Sequence, residues 1–187
     1  MTEPKVKIKF TYEDYKSLPE SETERYELLE GELVMVPSPS YKHQLTSGNL
    51  EFLLRKFVRE NDLGIVLNAP FDVVFEEAGE KKVTQPDIFY ISKERTHIIG
   101  EDEIQGAPDL IIEIISPRTK ERDRGYKRTL YARHGVKEYW LVDPEAKTVE
   151  VLTLGEKGFE LVKAYQSTEV LSSPLLPGLM IDLKEVF

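Results

Sequence analysis

The chain has 187 residues, no cysteine and a net charge of −9 at neutral pH, with 40% hydrophobic and 32% charged residues. This composition fits one folded globular domain; it excludes disulfides and thiolate metal sites, and it disfavours a nonspecific nucleic-acid binder. Because no apolar run reaches membrane-spanning length and the N-terminus has no uninterrupted apolar segment, we expect no membrane anchor, no signal peptide and a cytoplasmic location.

Periodicity, capping and turn signals predict four elements before residue 61. In chain order they are a short strand over residues 6–10, a brief helix over residues 11–18 with Thr11 and Asp14 as its capping pair, a hairpin over Arg25–Leu29 and Glu32–Val36, and a long helix over Tyr41–Glu60.

The rest of the sequence, from residue 61 on, predicts mostly strands, with one further helix. In order, these are a strand over residues 65–75 broken by Pro70, a strand over 83–91, a mixed loop over 96–105, a strand within 108–117, a helix over 120–134, strands over 136–143, 148–154 and 159–165, and a tail over 179–187. The first three core strands suit a meander, and the helix then crosses over to a parallel strand. We therefore predict an α+β fold whose α/β-like core is a mixed central sheet flanked by helices, with extra N- and C-terminal strands.

Residues 108–117, which read PDLIIEIISP, are mostly Leu and Ile around one carboxylate, Glu113. A short run of this kind predicts a central strand that is covered on both faces. An unpaired carboxylate buried there would cost several kcal/mol or hold a proton. We expect Glu113 to meet a cation, in a functional site or in a structural ion pair, or else to open onto solvent.

Asp87 follows Pro86 at the start of the preceding apolar strand. If that strand pairs antiparallel with the strand of Glu113, the two carboxylates can meet on one face. Two carboxylates with room for water and a phosphate are a common way for proteins to hold Mg²⁺.

Lys127 has Leu130, Tyr131 and His134 at the helical spacings +3, +4 and +7, so it lies on the stripe expected to face the sheet. Its stem could pack there while the amine reaches water. Beside two carboxylates, the ammonium would instead keep its charge and hold a phosphate oxygen or a water molecule.

Basic residues are concentrated in one segment, residues 116–137, which has eight Lys and Arg against two acidic residues. Such a run is most often a solvated helix face. Its position directly after the strand of Glu113 also makes it a candidate contact for an anionic ligand.

The chain resembles the PD-(D/E)XK nuclease superfamily in three features. These are an acidic residue after a proline, a glutamate 26 residues later in a predicted strand, and a lysine. The strings PDLIIEIISP, RDRGYKRTLYARHGV and KEYWLVDPE, with TYEDY and YELLEGEL before them, are similar to the bacterial Uma-type family of candidate restriction endonucleases. The likeness covers roughly residues 10–155. It implies a restriction-endonuclease-like domain over residues 1–187, with a core at about 41–143, an N-terminal extension over 1–40 and a C-terminal extension over 144–187.

The same resemblance implies the roles of individual residues. Asp87, Glu113 and the backbone carbonyl of Ile114 would bind Mg²⁺ or Mn²⁺. The lysine of the superfamily usually stands two residues after the glutamate, where this chain has Ile115. The resemblance implies that Lys127 takes its place, and that Glu27 and His43 are accessory catalytic residues.

These residues lead us to expect an endonuclease that hydrolyses phosphodiester bonds in DNA. The candidate phosphate contacts are Arg118, Lys120, Arg122, Arg124 and Arg128. A homodimer would suit cleavage of two strands, with Trp140 or the terminal strands as a candidate interface. Two other readings stay open: a non-catalytic nucleic-acid-binding or regulatory module of this fold, and a structural protein in which the acidic and basic residues form a buried ion-pair network.

Overall fold

The computed structural model describes residues 8–19, 21 and 24–187 of the chain. Its elements are, in order, α1 (Tyr12–Lys16), β1 (Arg25–Leu29), β2 (Glu32–Val36), α2 (Tyr41–Glu60), β3 (Gly64–Asn68), β4 (Asp72–Glu77), β5 (Glu80–Thr84), β6 (Ile88–Ser92), a 3₁₀ helix (Lys93–Ile98), β7 (Glu103–Gln105), β8 (Leu110–Ile114), α3 (Lys120–Arg122), a π-helical turn (Asp123–Lys127), α4 (Arg128–Arg133), β9 (Glu138–Asp143), β10 (Thr148–Gly155), β11 (Gly158–Gln166), β12 (Val170–Ser172), β13 (Met180–Asp182) and a 3₁₀ helix (Leu183–Glu185).

Six strands form the main sheet, in the order β11-β10-β9-β8-β6-β3. The β3–β6 and β6–β8 pairs are antiparallel, whereas β9 lies parallel to β8. The helical stretch from α3 to α4 joins β8 to β9, because two parallel strands need a crossover connection. The predicted mixed sheet, the antiparallel order of its first three strands and its parallel fourth strand are therefore confirmed, whereas these three strands are not a simple meander, because β4, β5 and β7 of another sheet lie between them in the chain.

A second sheet, which the sequence pattern did not predict, has the order β2-β1-β5-β4-β7. The prediction of single strands over residues 65–75 and 83–91 is wrong, because each segment contributes one strand to each sheet. Pro70 lies between the first two strands and Pro86 between the second two. Proline has no N–H to donate to a strand ladder, so it suits the point where the chain leaves one sheet for the other.

The predicted N-terminal elements agree with the structure, apart from the first strand. Thr11 caps α1 and forms a capping box with Asp14, while the hairpin and α2 have the predicted bounds. Of the strand predicted over residues 6–10, the first two residues lie outside the described part of the chain and residues 8–10 are not in a strand. The predicted loop over residues 96–105 contains the short strand β7.

Strand β8 is buried along its whole length and separates two hydrophobic cores. Alternate side chains of a strand point to opposite faces. Leu110, Ile112 and Ile114 therefore pack with α2, while Ile111 and Ile115 pack on the other side, where the helical stretch lies. Glu113 belongs by alternation to this second face, toward the helical stretch that carries Lys127.

The C-terminal strands extend the main sheet, as β10 and β11 add beyond β9 in antiparallel order. Trp140 in β9 is fully buried, so the suggestion that it supplies an interface is wrong. None of the helices within the described ranges is both long and apolar enough to span a membrane.

Asp109 fixes the beginning of β8 through a buried charge cluster. Its carboxylate is 0% exposed and lies 2.7 Å from Lys137 Nζ and 3.0 Å from Arg95 Nη1, and it accepts a 2.8 Å hydrogen bond from the Ser92 amide. Burial alone would raise the pKa of Asp109, but these partners lower it below its usual value. The cluster thus ties β8 to β6 and to the start of β9.

We expect Asp109→Asn to lower the free energy of unfolding by about 2 kcal/mol at pH 7, because charge-assisted hydrogen bonds are lost in a buried place. A carboxylate with a lowered pKa stabilises the fold above its unfolded pKa of about 3.9 and loses this effect as pH falls through the folded value. The deficit, measured by urea unfolding, should therefore shrink below about pH 4. Asp62→Asn, which alters an exposed pair with Lys93, should cost less than about 0.5 kcal/mol. Equal deficits for the two variants would contradict this account.

Candidate active site

A cleft of about 480 Å³ lies where the main sheet, the second sheet and the N-terminal end of α2 meet. Its walls come from the β1–β2 hairpin, the loop over residues 36–40, the first turns of α2, the end of β8 and the helical stretch that follows. All five predicted catalytic residues line it: Glu27, His43, Asp87, Glu113 and Lys127. Residues up to 100 positions apart in the chain are thus brought to one place by the fold.

The pairing of β6 with β8 brings Asp87 beside Glu113. Ile88 pairs with Ile112 in this antiparallel register, so the positions directly before and after them are neighbours. Asp87 Oδ2 accepts a 2.7 Å hydrogen bond from the amide of Ile114, which fixes the carboxylate at the end of β8. Its side chain is 20% exposed, so Asp87 lies nearer the mouth of the cleft than Glu113, which is 5% exposed.

Lys127 binds the buried carboxylates at the floor of the cleft. Its Nζ lies 2.7 Å from Glu27 Oε1, 2.9 Å from Glu113 Oε1 and 3.8 Å from Asp123 Oδ1, and its side chain is 4% exposed. Burial opposes a charge on Lys127, but the surrounding carboxylates prevail and hold the pKa of its ammonium well above the usual value. The alternative that this lysine extends into water does not apply.

A π-helical turn, Asp123–Lys127, places the lysine at this position. Asp123 and Lys127, at the two ends of the turn, are both buried, whereas Arg124 is partly exposed. A single widened turn inside a helix shifts the side chains that follow it, and such turns are frequent at functional sites. The turn therefore aligns the acidic and the basic side chain toward the cleft.

Glu113 is also held by Tyr131, whose hydroxyl donates a 2.7 Å hydrogen bond to Oε1. The bond from Lys127 ends on the same oxygen, so neither of these two contacts uses Oε2. Burial raises the pKa of Glu113 above its usual range, and Lys127 offsets part of this effect. Lys127 and Tyr131 thus orient Glu113 through its Oε1, while the carboxylate also lines the cleft.

Glu27 comes from β1 in the second sheet and is 1% exposed. Its Oε1 accepts a 3.0 Å hydrogen bond from the Gln85 amide in addition to the contact with Lys127. Its Oε2 is buried without a hydrogen-bond partner and lies 3.7 Å from Arg122 Nη2. The hairpin thereby closes the floor of the cleft from the side opposite the helical stretch.

His43 lies in the first turn of α2, where the Ser40 cap accepts a hydrogen bond from its amide. Its Nε2 is 3.3 Å from Asp87 Oδ1. Burial lowers the pKa of His43, but Asp87 and the backbone of Ile114 outweigh it, so the net pKa is raised. The imidazole therefore orients the carboxylate of Asp87.

The cleft holds more negative than positive groups. The cleft is lined by five carboxylates, those of Glu27, Asp87, Glu113, Asp123 and Glu145, and by four permanent cations, Arg25, Arg118, Arg122 and Lys127. Burial raises the pKa of Asp123, as it does that of Glu113, and Asp123 Oδ1 is buried without a hydrogen-bond partner. Unmatched buried carboxylates are costly unless they take up a proton or a cation. This charge balance fits an added cation at the cleft.

A metal site of many acidic ligands is not present: within the described ranges, no group of three or more His, Asp or Glu side chains is arranged to hold a metal. The predicted ligand set is smaller, with the two carboxylates of Asp87 and Glu113 and the carbonyl of Ile114. Mg²⁺ commonly takes one or two protein carboxylates and completes its shell with water and phosphate. The charges and oxygen donors at the cleft fit such a set.

The predicted phosphate contacts are divided between the cleft and the outer surface. Arg118 and Arg122 line the cleft. Arg124 makes two hydrogen bonds to Glu150, at 2.9 and 2.7 Å. Lys120 Nζ lies 3.7 Å from Asp143, and Arg128 donates a 2.6 Å hydrogen bond to the carbonyl of Phe159. Only the first two therefore face the candidate site.

Sequence reasoning missed three groups that complete this site: Asp123, Tyr131 and the Gln85 amide. Asp123 precedes Lys127 by four residues, a spacing that puts both on one helix face. Tyr131 was assigned to the core stripe, although its position four residues after Lys127 also brings it to Glu113. Nothing in the sequence pattern indicates the contact of Gln85 with Glu27, because it joins two strands of the unpredicted sheet.

Comparisons with known proteins show the family and the fold to which the chain is similar. The profile of the Uma2 family, described as "Putative restriction endonuclease", matches residues 12–184. An uncharacterized protein of Synechocystis sp. is 24% identical over 162 residues, which cover 86% of this chain and 83% of that protein. The crystal structure of "a putative nuclease belonging to DUF820" from Anabaena variabilis superposes with a TM-score of 0.77 at 24% identity, over 95% of this chain and 97% of the other.

The structural likeness supports the predicted nuclease-like fold, and the profile match spans nearly the whole described chain. The match also includes each of the residues that meet at the floor of the cleft. The chain therefore belongs to the Uma2 family of restriction-endonuclease-like proteins.

Proposed function

We propose that this protein is a metal-dependent endonuclease that hydrolyses phosphodiester bonds in DNA. The observation that carries the proposal is the buried ammonium of Lys127, held between Glu27 and Glu113 at the floor of a cleft whose mouth is marked by Asp87. Two acids and an amine at one place can hold a metal ion and stabilise the charge that develops on a phosphate during phosphodiester hydrolysis. The membership of this chain in a nuclease-like family supports the same conclusion.

Asp87, Glu113 and the Ile114 carbonyl are the groups that would hold Mg²⁺ or Mn²⁺. When bound there, such an ion polarises a phosphate oxygen and lowers the pKa of a water molecule. The hydrogen bond from the Ile114 amide and the contact with His43 hold Asp87 in place for this role. Tyr131 does the same for Glu113.

Lys127 would act on the reacting phosphate. Its ammonium stays charged because carboxylates surround it, and a charge in a buried place acts more strongly on a phosphate oxygen than one in water. Glu27 and Asp123 hold the amine at the floor of the cleft, so its position is fixed before the substrate arrives. The homodimer and the cytoplasmic location expected from the sequence stay predictions.

The direct test is cleavage of closed circular DNA, both single-stranded and duplex, with Mg²⁺ or Mn²⁺. We expect Asp87→Asn, Glu113→Gln and Lys127→Met each to lower the rate at least about 100-fold, the scale on which preorganised charge contributes to catalysis. Asp109→Asn is the matched control, because it removes a buried charge from the start of the same strand but lies outside the cleft. Undiminished cleavage by all three site variants would contradict the proposal.

The same variants separate the two other readings. A non-catalytic module of this fold would show a rise in melting temperature with Mn²⁺ that Glu113→Gln abolishes, since a ligand that binds only the native state stabilises it, but it would not cut DNA. A structural ion-pair network would show neither the Mn²⁺ effect nor cleavage.

A further prediction concerns the stability that Lys127 provides. Lys127→Met leaves Glu27, Glu113 and Asp123 buried without their ammonium partner, which typically costs about 3–5 kcal/mol. The pKa of Glu113 is already raised by burial, and removal of the cation should raise it further. An acid with a raised folded pKa binds protons more tightly in the native state, so the variant gains stability as pH falls.

The deficit of Lys127→Met, measured by chemical denaturation, should therefore be larger at pH 8 than at pH 5. Arg124→Met is the matched control, because it removes a cation from the same helical stretch whose partner Glu150 is partly exposed. Its cost should stay below about 1 kcal/mol. A deficit for Lys127→Met that does not change with pH would show that the carboxylates do not depend on this lysine.

A further inference from the structure

We infer that the cleft accepts a single-stranded stretch of DNA of one or a few nucleotides, and that continuous duplex is a poor substrate. This inference rests on the proposed nuclease function and names the form of DNA on which it acts. It follows from the depth of the reacting groups, the size of the cleft and the state of the basic residues around it.

The groups assigned to the reaction lie at the floor of the cleft. The side chains of Glu113 and Lys127 are 5% and 4% exposed. A phosphate must enter the cleft to reach them. The phosphates of a duplex are held on a stiff double helix, so one of them can enter a narrow cleft only if the duplex is distorted or locally unpaired, whereas an unpaired strand bends easily.

The volume of the cleft, about 480 Å³, lies in the range of small-molecule sites, which is large enough for one or a few unpaired nucleotides. Its rim combines apolar rings with hydrogen-bonding groups: Pro37, Pro39 and Pro117 beside Ser38, Asn68 and Ser116. An unpaired nucleotide exposes both the face and the edge of its base, and such a rim can contact both. A paired base would keep these surfaces within the duplex.

The basic segment, residues 116–137, is largely neutralised by the protein itself. In addition to Lys120, Arg122, Arg124 and Arg128, whose contacts are given above, Lys127 lies between carboxylates, Arg133 lies 3.9 Å from Glu77, and Lys137 lies 2.7 Å from Asp109. Six of the eight basic side chains thus lie near a carboxylate, and Arg128 is held by a backbone carbonyl. Arg118 is the exception within the described part of the chain: it is exposed at the cleft and no ion pair holds it.

This arrangement leaves few cations for a phosphate backbone. Proteins that bind duplex DNA through its backbone commonly neutralise about 6–10 phosphates. At this cleft, Arg118 and Arg25, which both line it, can meet one or two phosphates beside the reacting one. The net charge of −9 would repel a longer polyanion. A short unpaired segment matches this number of contacts.

The test compares initial cleavage rates, with Mn²⁺, on one labelled oligonucleotide in three forms: single-stranded, as a blunt duplex, and as a duplex with a single-stranded tail. We expect the single strand to be cut at least about tenfold faster than the blunt duplex, because the stiff duplex must first be distorted or locally unpaired. In the third form, cuts should fall in the tail. The Glu113→Gln variant, assayed in parallel, shows whether the cuts come from this site.

The outcomes distinguish the two proposals. If blunt duplex is cut as fast as single strand and Glu113→Gln abolishes both activities, the nuclease function stands and the strand preference is overturned. If no DNA is cut, or if Glu113→Gln cuts as well as the native protein, the nuclease function itself fails, and the preference fails with it.

Salt dependence gives a second readout on the single strand. Arg118→Ala should lower kcat/KM and reduce the slope of log kcat/KM against log salt concentration by about 0.7, the value for one phosphate contact on a single strand. Lys56→Ala, an exposed lysine near the other end of α2, should leave both quantities unchanged. An unchanged slope for Arg118→Ala would contradict the placement of a phosphate at this arginine.

Discussion

The ammonium of Lys127 lies within 3 Å of carboxylate oxygens of both Glu27 and Glu113, and the candidate site depends on this contact. Each partner would be costly to bury alone, since a charge removed from water needs a counter-charge and hydrogen bonds. Together they offset part of each other's cost of burial in a place with little access to solvent. A site of this kind is organised before any substrate enters, so little reorganisation is needed when charge develops on a phosphate.

The fold delivers these groups from three separate structures. The second sheet provides Glu27, and the crossover between β8 and β9 provides Lys127. The paired strands β6 and β8 of the main sheet provide Asp87, directly before β6, and Glu113, within β8. The two prolines at which the chain passes between the sheets, Pro70 and Pro86, are therefore part of the architecture of the site. The cleft lies at the junction, so it exists only when both sheets and the crossover are in place.

Much of this arrangement could be predicted from local patterns. A carboxylate within an apolar strand indicated Glu113, and helical spacing placed Lys127 on the face toward the sheet. The second sheet could not be predicted, because the apolar segments on either side of Pro70 and Pro86 look like single interrupted strands. The π-helical turn that buries Asp123 has no signal in residue periodicity. The basic segment looked available for DNA because its acidic partners, such as Glu150 and Asp143, lie elsewhere in the chain.

The central claim, that Lys127 is a charged ammonium locked between carboxylates, can be measured directly by NMR of ¹⁵N-labelled lysine side chains, with Lys127→Met to assign the signal. The account predicts an ammonium resonance for Lys127 that persists with slow solvent exchange through neutral pH and does not titrate below pH 10, because its carboxylate partners raise its pKa. A Lys127 signal that titrates to the neutral amine near pH 7, as burial alone would produce, would contradict it.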